Sequence, residues 1–94
     1  MADNTEQIRF LWDLIEEAEE RKDALTEATD FQHDRLAWEE SIRPRLEQVF
    51  GKGEVTNGLP AQPLELTAAL DDATARYEAD IRYLQAVRKA LKAR

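Results

Sequence analysis

IRFLWDLIEEAEERKDALTEATDFQHDRLAWEESIRPRLEQVF, residues 8–50, decides how this chain folds. From Met1 through Arg43 there is neither glycine nor proline, and Ala, Leu, Glu, Lys, Arg and Gln dominate, so nothing forces the backbone out of a helix. The spacing predicts one long first helix over about residues 5–50. Asp3, Asn4 or Thr5 can cap its start, where a side-chain oxygen accepts from amides that have no partner in the helix. Pro44 lies inside the pattern and predicts a kink or a restart, with Ser41 as the cap of the restarted piece. Ile42, Leu46, Val49 and Phe50 keep helical spacing beyond it, and Gly51 is placed to stop the helix.

Placed about 100° apart around a helix, Ile8, Phe10, Leu11, Trp12, Leu14 and Ile15 cover about 200°, twice what a single neighbour needs. Farther along, Ala24, Ala28, Phe31, Trp38, Ile42 and Val49 follow a seven-residue beat that is shifted relative to Ile8, Leu11, Ile15 and Ala18. A stutter near Lys22 in a left-handed supercoil is the simplest account.

Outward from this segment, residues 51–63 hold all three glycines and two of the three prolines and read as the connecting loop. The loop is longer than most connections between packed helices, and Asn57-Gly58 is a candidate tight turn. From residue 64 to 93, Leu66, Leu70, Ala73, Tyr77, Ile81, Leu84, Val87 and Leu91 recur at steps of three and four and predict a second amphipathic helix. Thr67, Asp71 and Asp72 favour its start, and basic residues suit its end.

At about 1.5 Å per residue the first helix spans about 65 Å and the second about 45 Å, so a hairpin leaves the N-terminal apolar residues overhanging in water. The fold class expected is all-α: a long helical hairpin, one domain over residues 1–94, completed by dimerisation through the overhang. The alternative is a three-helix bundle with a break near Thr29-Asp30, where Thr26, Thr29 and Asp30 weaken the helix.

The chain has 94 residues, 43% hydrophobic and 35% charged, and no cysteine, which excludes disulfides and thiolate metal sites. No window approaches the apolar length of a membrane span, so no membrane partner is expected, and a cytoplasmic location is the default expectation. A net charge of -7 weighs against DNA or anionic membranes. Charge is segregated: residues 1–29 hold nine acids against three bases, whereas residues 81–94 hold five bases and no acid. Either fold would bring acidic and basic segments together.

Asp13, Glu16, Glu17, Glu19, Glu20 and Asp23 form an acidic surface whose ordinary reading is a solvated face, and whose sharper reading is mimicry of nucleic-acid phosphates. No metal or other cofactor is expected, since Glu-x-x-His pairs and calcium-loop patterns are missing. His33, beside Asp30 and Asp34, lacks the other members of a catalytic site and reads as a surface or interface histidine. Gly51-Lys52-Gly53 lacks the spacing of a phosphate loop and reads as a helix stop. The C-terminal RKALKAR, residues 88–94, reads as a helix end more readily than as a nucleic-acid contact. The length is that of small helical-hairpin proteins named for a Trp-x-Gly motif, but no Trp-x-Gly occurs, so no family is assigned.

The expectation is therefore a non-enzymatic protein–protein interaction module, an oligomerising adaptor or scaffold subunit that binds itself or another protein. Its predicted interface is Ile8, Phe10, Leu11, Trp12, Leu14 and Ile15, with Trp12 the foremost anchor. The alternative is a small acidic inhibitor, of phage or antitoxin type, that blocks a basic or nucleic-acid-binding site on a larger protein.

Overall fold

An apolar arc as wide as that of the first segment needs two neighbours, and the chain supplies both by folding back on itself. The computed structural model describes residues 4–60 and 69–93, and among these every regular element is an α-helix. They are α1 (Asn4–Ala24), α2 (Phe31–Phe50), α3 (Glu54–Asn57) and α4 (Leu70–Lys92). The molecule measures 42 × 22 × 14 Å along its principal axes.

The single helix expected over residues 5–50 is thus two helices, and the chain turns at the alternative break near Thr29-Asp30. Two threonine hydroxyls explain how a segment free of glycine and proline does this. The Thr26 N–H donates to Thr29 Oγ1 at 3.1 Å, the Ala28 N–H donates to Thr26 Oγ1 at 3.2 Å, and the Thr29 hydroxyl donates to the Thr26 carbonyl at 2.8 Å. Side chains thereby take over bonds that a continuous helix would have made along its backbone. Folding back then buries apolar surface on two sides of α1, which outweighs the few backbone bonds exchanged.

Pro44 does not restart the helix. α2 runs through it to Phe50, with Pro44 and Glu40 both exposed, so water can serve the Glu40 carbonyl that a proline leaves without a donor. Ser41 is no cap; its hydroxyl donates to the Trp38 carbonyl at 3.0 Å. Gly51 ends α2 with φ 76°, a left-handed value that favours glycine, and its N–H donates to the Glu47 carbonyl at 2.8 Å.

The segment read as a loop over residues 51–63 contains the single turn α3, and Asn57-Gly58 closes that turn rather than a hairpin. Its residues 61–63, like residues 64–68 of the expected second helix and the candidate cap Thr67, lie outside the described residues. Within them α4 starts at Leu70, with Asp71 and Asp72 in its first turn.

α1 lies antiparallel to both long neighbours. The Asn4 side-chain amide, at the start of α1, donates at 2.9 Å to the Leu91 carbonyl in the last turn of α4. Arg21 near the end of α1 pairs with Asp34 near the start of α2. α2 and α4 consequently run in the same direction, Phe31 beside Ala73 and Arg35 beside Asp80.

Between the three long helices lies one core of Leu11, Leu14, Ile15 and Ala18 from α1, Trp38, Ile42 and Leu46 from α2, and Tyr77, Ile81, Leu84 and Leu91 from α4, closed by Leu59. Phe31 and Ala73 form a smaller cluster at the other end.

Candidate functional site

Two features remain once the core is accounted for: a charged network inside the bundle and a groove on its surface.

The network starts from Arg35, fully buried on α2. Its Nη2 donates to Asp80 Oδ2 at 2.6 Å and its Nε donates to Glu39 Oε1 at 2.9 Å. Its guanidinium lies over the Tyr77 ring, 4.7 Å from the centroid. Asp80, also buried, accepts a second bond from Trp38 Nε1 at 3.0 Å. A second chain of contacts continues outward: the Tyr77 hydroxyl donates to Asp34 Oδ2 at 2.6 Å, and Arg21 holds the other oxygen of that carboxylate at 2.9 Å. Burial, followed by the Asp34 carboxylate, pushes the Tyr77 phenol well above its ordinary range.

Glu39 titrates above the ordinary glutamate value because burial, which disfavours its charge, outweighs the hydrogen bond and attraction of Arg35. Arg76 lowers its value further and Asp80 raises it. A raised carboxyl contributes stability below its unfolded-state pKa and loses that contribution as pH rises through its folded-state pKa. Glu39→Gln keeps an oxygen for Arg35 without the charge. Its stability relative to the parent is therefore expected to be highest at pH 7, with the gap moving in favour of the parent as pH falls to 4. Urea unfolding at both pH values checks this, and a gap that moves the other way rejects it.

The Arg35–Asp80 pair at the centre of this network is closed to substrates. Arg35 is 0% and Asp80 1% exposed, so the pair acts on the packing of α2 against α4 rather than on an external molecule.

The groove lies between α1 and the end of α4, about 480 Å³ in volume, with Trp12 and Ile15 as its apolar part, Glu16 and Glu19 on one wall, and Arg88, Lys89 and Lys92 on the other. Trp12 is 46% exposed, and it is the one large apolar side chain among the described residues left in water. The Arg88 guanidinium stacks on its ring, 4.8 Å from the centroid, which restrains the indole. The buried Arg88 Nε has no hydrogen-bond partner among the described residues.

The predicted interface is divided by this arrangement. Leu11, Leu14 and Ile15 are buried in the chain's own core, Ile8 and Phe10 are partly buried against it, and Trp12 alone stands out. Within the acidic surface, Asp13, Glu16, Glu19, Glu20 and Asp23 are exposed, whereas Glu17 accepts from Arg45 at 2.7 Å. Asp13, Glu16, Glu20 and Asp23 succeed one another at steps of three and four and share one face of α1.

His33 is exposed, with Nδ1 2.7 Å from Asp30 Oδ2; the hydrogen bond with His33 holds the Asp30 carboxyl below its ordinary value. Lys52 is exposed beyond the end of α2, and Lys89 and Lys92 are exposed on α4, while Arg94 lies outside the described residues. Among the described residues no three of His, Asp and Glu are placed to hold a metal ion, and no helix is long and apolar enough to cross a membrane.

A second cleft, about 520 Å³, separates the end of α1 from the start of α2. Its Arg21, Glu17 and Asp34 are already engaged with one another or with Arg45 and Tyr77, which leaves fewer free groups than the Trp12 groove has.

Sequence reasoning marked Trp12 and expected basic C-terminal residues to approach the acidic N-terminal segment, but it did not place Arg88, Lys89 and Lys92 beside that ring. The signal is the antiparallel register of α1 and α4, which needs the break after α1 to be known first. No family model matches this chain, and neither a curated protein nor a solved structure matches it.

Proposed function

We propose that this protein is a non-enzymatic protein–protein interaction module that docks its partner on the α1–α4 groove, with Trp12 as the anchor. The single observation behind this reading is the exposed indole, stacked on Arg88 and set between charged walls, in a chain that buries or half-buries its other large apolar side chains among the described residues. A rigid aromatic ring in a polar rim is the commonest composition of an energetic hot spot, because it buries much area at little entropic cost. The partner is a second copy of the chain or a different protein.

The test places a photoreactive benzoylphenylalanine at position 12 of the full chain in its own cells, with the same group at exposed Gln48 on α2 as control. Protein adducts, homotypic or heterotypic, are expected from position 12 at several times the yield from position 48. Equal yields reject the docking reading.

The second reading, an acidic inhibitor of a basic site, is favoured by the exposed stripe of Asp13, Glu16, Glu20 and Asp23. On that reading the replacement of these four by Asn or Gln abolishes partner binding. Retained binding excludes it.

A further inference from the structure

The Trp12 groove changes charge along its length. α1 and α4 are antiparallel, and the bond from the Asn4 side chain to the Leu91 carbonyl sets Lys89 and Lys92 level with the first turn of α1. Trp12 lies about 12 Å farther up α1, and Glu16 and Glu19 lie beyond it, about 18 and 22 Å from Asn4. The groove therefore has a basic foot, an aromatic middle and an acidic head. Lys89, Lys92, Glu16 and Glu19 are all exposed, and among the described residues none of the four closes an ion pair within the chain.

The apolar part of the groove is small: the Trp12 indole, 46% exposed, and Ile15, which is 5% exposed. A stable dimer covers about 800 Å² on each partner around an apolar centre, whereas one indole suits the single anchor of a peptide-sized contact. Resting on the docking reading above, we infer that the occupant is an amphipathic helical segment of a different protein, acidic in its first turns, basic in its last turns and apolar on the side that covers Trp12. It lies in the groove parallel to α1, with its acidic start over Lys89 and Lys92 and its basic end over Glu16 and Glu19. The length to be matched, about 22 Å, is that of about 15 residues of helix. Acids first and bases last is also the order that a helix dipole favours, so both effects select one direction. A segment running the other way sets each of its charged ends on like charge.

The experiment titrates the full chain into two labelled synthetic peptides, each of about 15 residues, and reads fluorescence anisotropy. Both share one composition and one leucine stripe. The first carries Glu in its opening turns and Lys in its closing turns, and the second carries the reverse. The parent is expected to bind the first about tenfold more tightly, since individually modest charge pairs change sign at both ends.

The dipole alone makes the first peptide the better helix, and a charge-reversed groove separates that effect from recognition. Glu16→Lys, Glu19→Lys, Lys89→Glu and Lys92→Glu together cancel in charge, leave the net value at -7, and are expected to move the preference to the second peptide. If circular dichroism shows this variant unfolded, Glu16→Gln with Glu19→Gln is expected to weaken the first peptide about threefold and to tighten the second. Equal affinity for both orders, no binding of either, a preference that charge reversal leaves unmoved, or a loss shared by both peptides overturns the inference. So does a parent that sediments as a dimer which the first peptide dissolves, since the occupant is then a second copy. Adducts from position 12 in excess of the control would leave the docking reading standing in each of these cases, whereas their absence would remove that reading itself.

Discussion

Asp80→Leu is expected to lower the unfolding free energy by about 3–5 kcal/mol, the cost of leaving a buried charge without its partner. Asp80 is the acceptor for two donors that have no access to water, the Arg35 guanidinium at 2.6 Å and the Trp38 indole N–H at 3.0 Å. Removing it leaves Arg35 with only Glu39 to balance its charge, through Nε at 2.9 Å. A domain of this size has about 5–15 kcal/mol in total, so the urea midpoint should fall by a large fraction of its value. Asp80→Asn retains an acceptor and should lose less.

The decisive comparison is the double variant. With Arg35→Met added to Asp80→Leu, the orphaned charge is gone and much of the lost stability should return. A coupling of about 2 kcal/mol or more between the two positions is expected. Strict additivity would mean that the two side chains do not sense each other. The reason for the coupling also says what the pair is for. An apolar seam between α2 and α4 can slide by a turn at modest cost, but a seam in which Arg35, Trp38 and Asp80 must meet has one register.

How much of this was legible in the sequence varies from element to element. The helical character of both ends followed from composition and period, and the stop at Gly51 followed from its position after the last apolar residue. The turn between α1 and α2 was only half legible. Its signal was Thr26, Thr29 and Asp30, while the phase shift near Lys22 read as a stutter; propensity cannot price a turn built from two threonine hydroxyls, so the continuous helix was the first expectation.

The network was missed because an isolated charge on a helix reads as solvated. Yet Phe31, Arg35, Trp38 and Ile42 follow steps of four, three and four, as do Ala73, Tyr77, Asp80 and Leu84 with steps of four, three and four. Arg35 and Asp80 each occupy a seam position of an apolar stripe, and two opposite charges on two seams were a signal that could have been used. For the groove, the meeting of acidic and basic segments was legible, but not which bases stand beside Trp12, because the register of α4 against α1 is a tertiary fact.

Trp38→Ala is the other substitution of large expected effect, and it separates folding from docking when set beside Trp12→Ala. Trp38 is the largest fully buried side chain; it tilts on Tyr77 with ring centroids 5.8 Å apart, lies under the Arg21 guanidinium and donates to Asp80. Truncation is expected to cost about 3–5 kcal/mol through the cavity alone, before the lost bond to Asp80 is counted. That is a large share of the about 5–15 kcal/mol available, so the urea midpoint by circular dichroism should fall at least as far as in Asp80→Leu. Trp38→Phe keeps most of the volume and should lose about 1–2 kcal/mol, mainly the indole donor.

Trp12→Ala removes a ring that is 46% exposed and stacked on Arg88, so the loss of stability should be clearly smaller, about 1–2 kcal/mol. Iodide offers an independent check on the same division. In Trp12→Phe the remaining emission comes from Trp38 and should be blue-shifted and poorly quenched, whereas Trp38→Phe should leave a red, readily quenched Trp12. Equal loss of stability from both alanine variants would place Trp12 in the core and remove the anchor on which the docking surface depends. Loss confined to Trp38→Ala would mean that the indole at position 12 contributes little to the fold and is free to be covered by a partner.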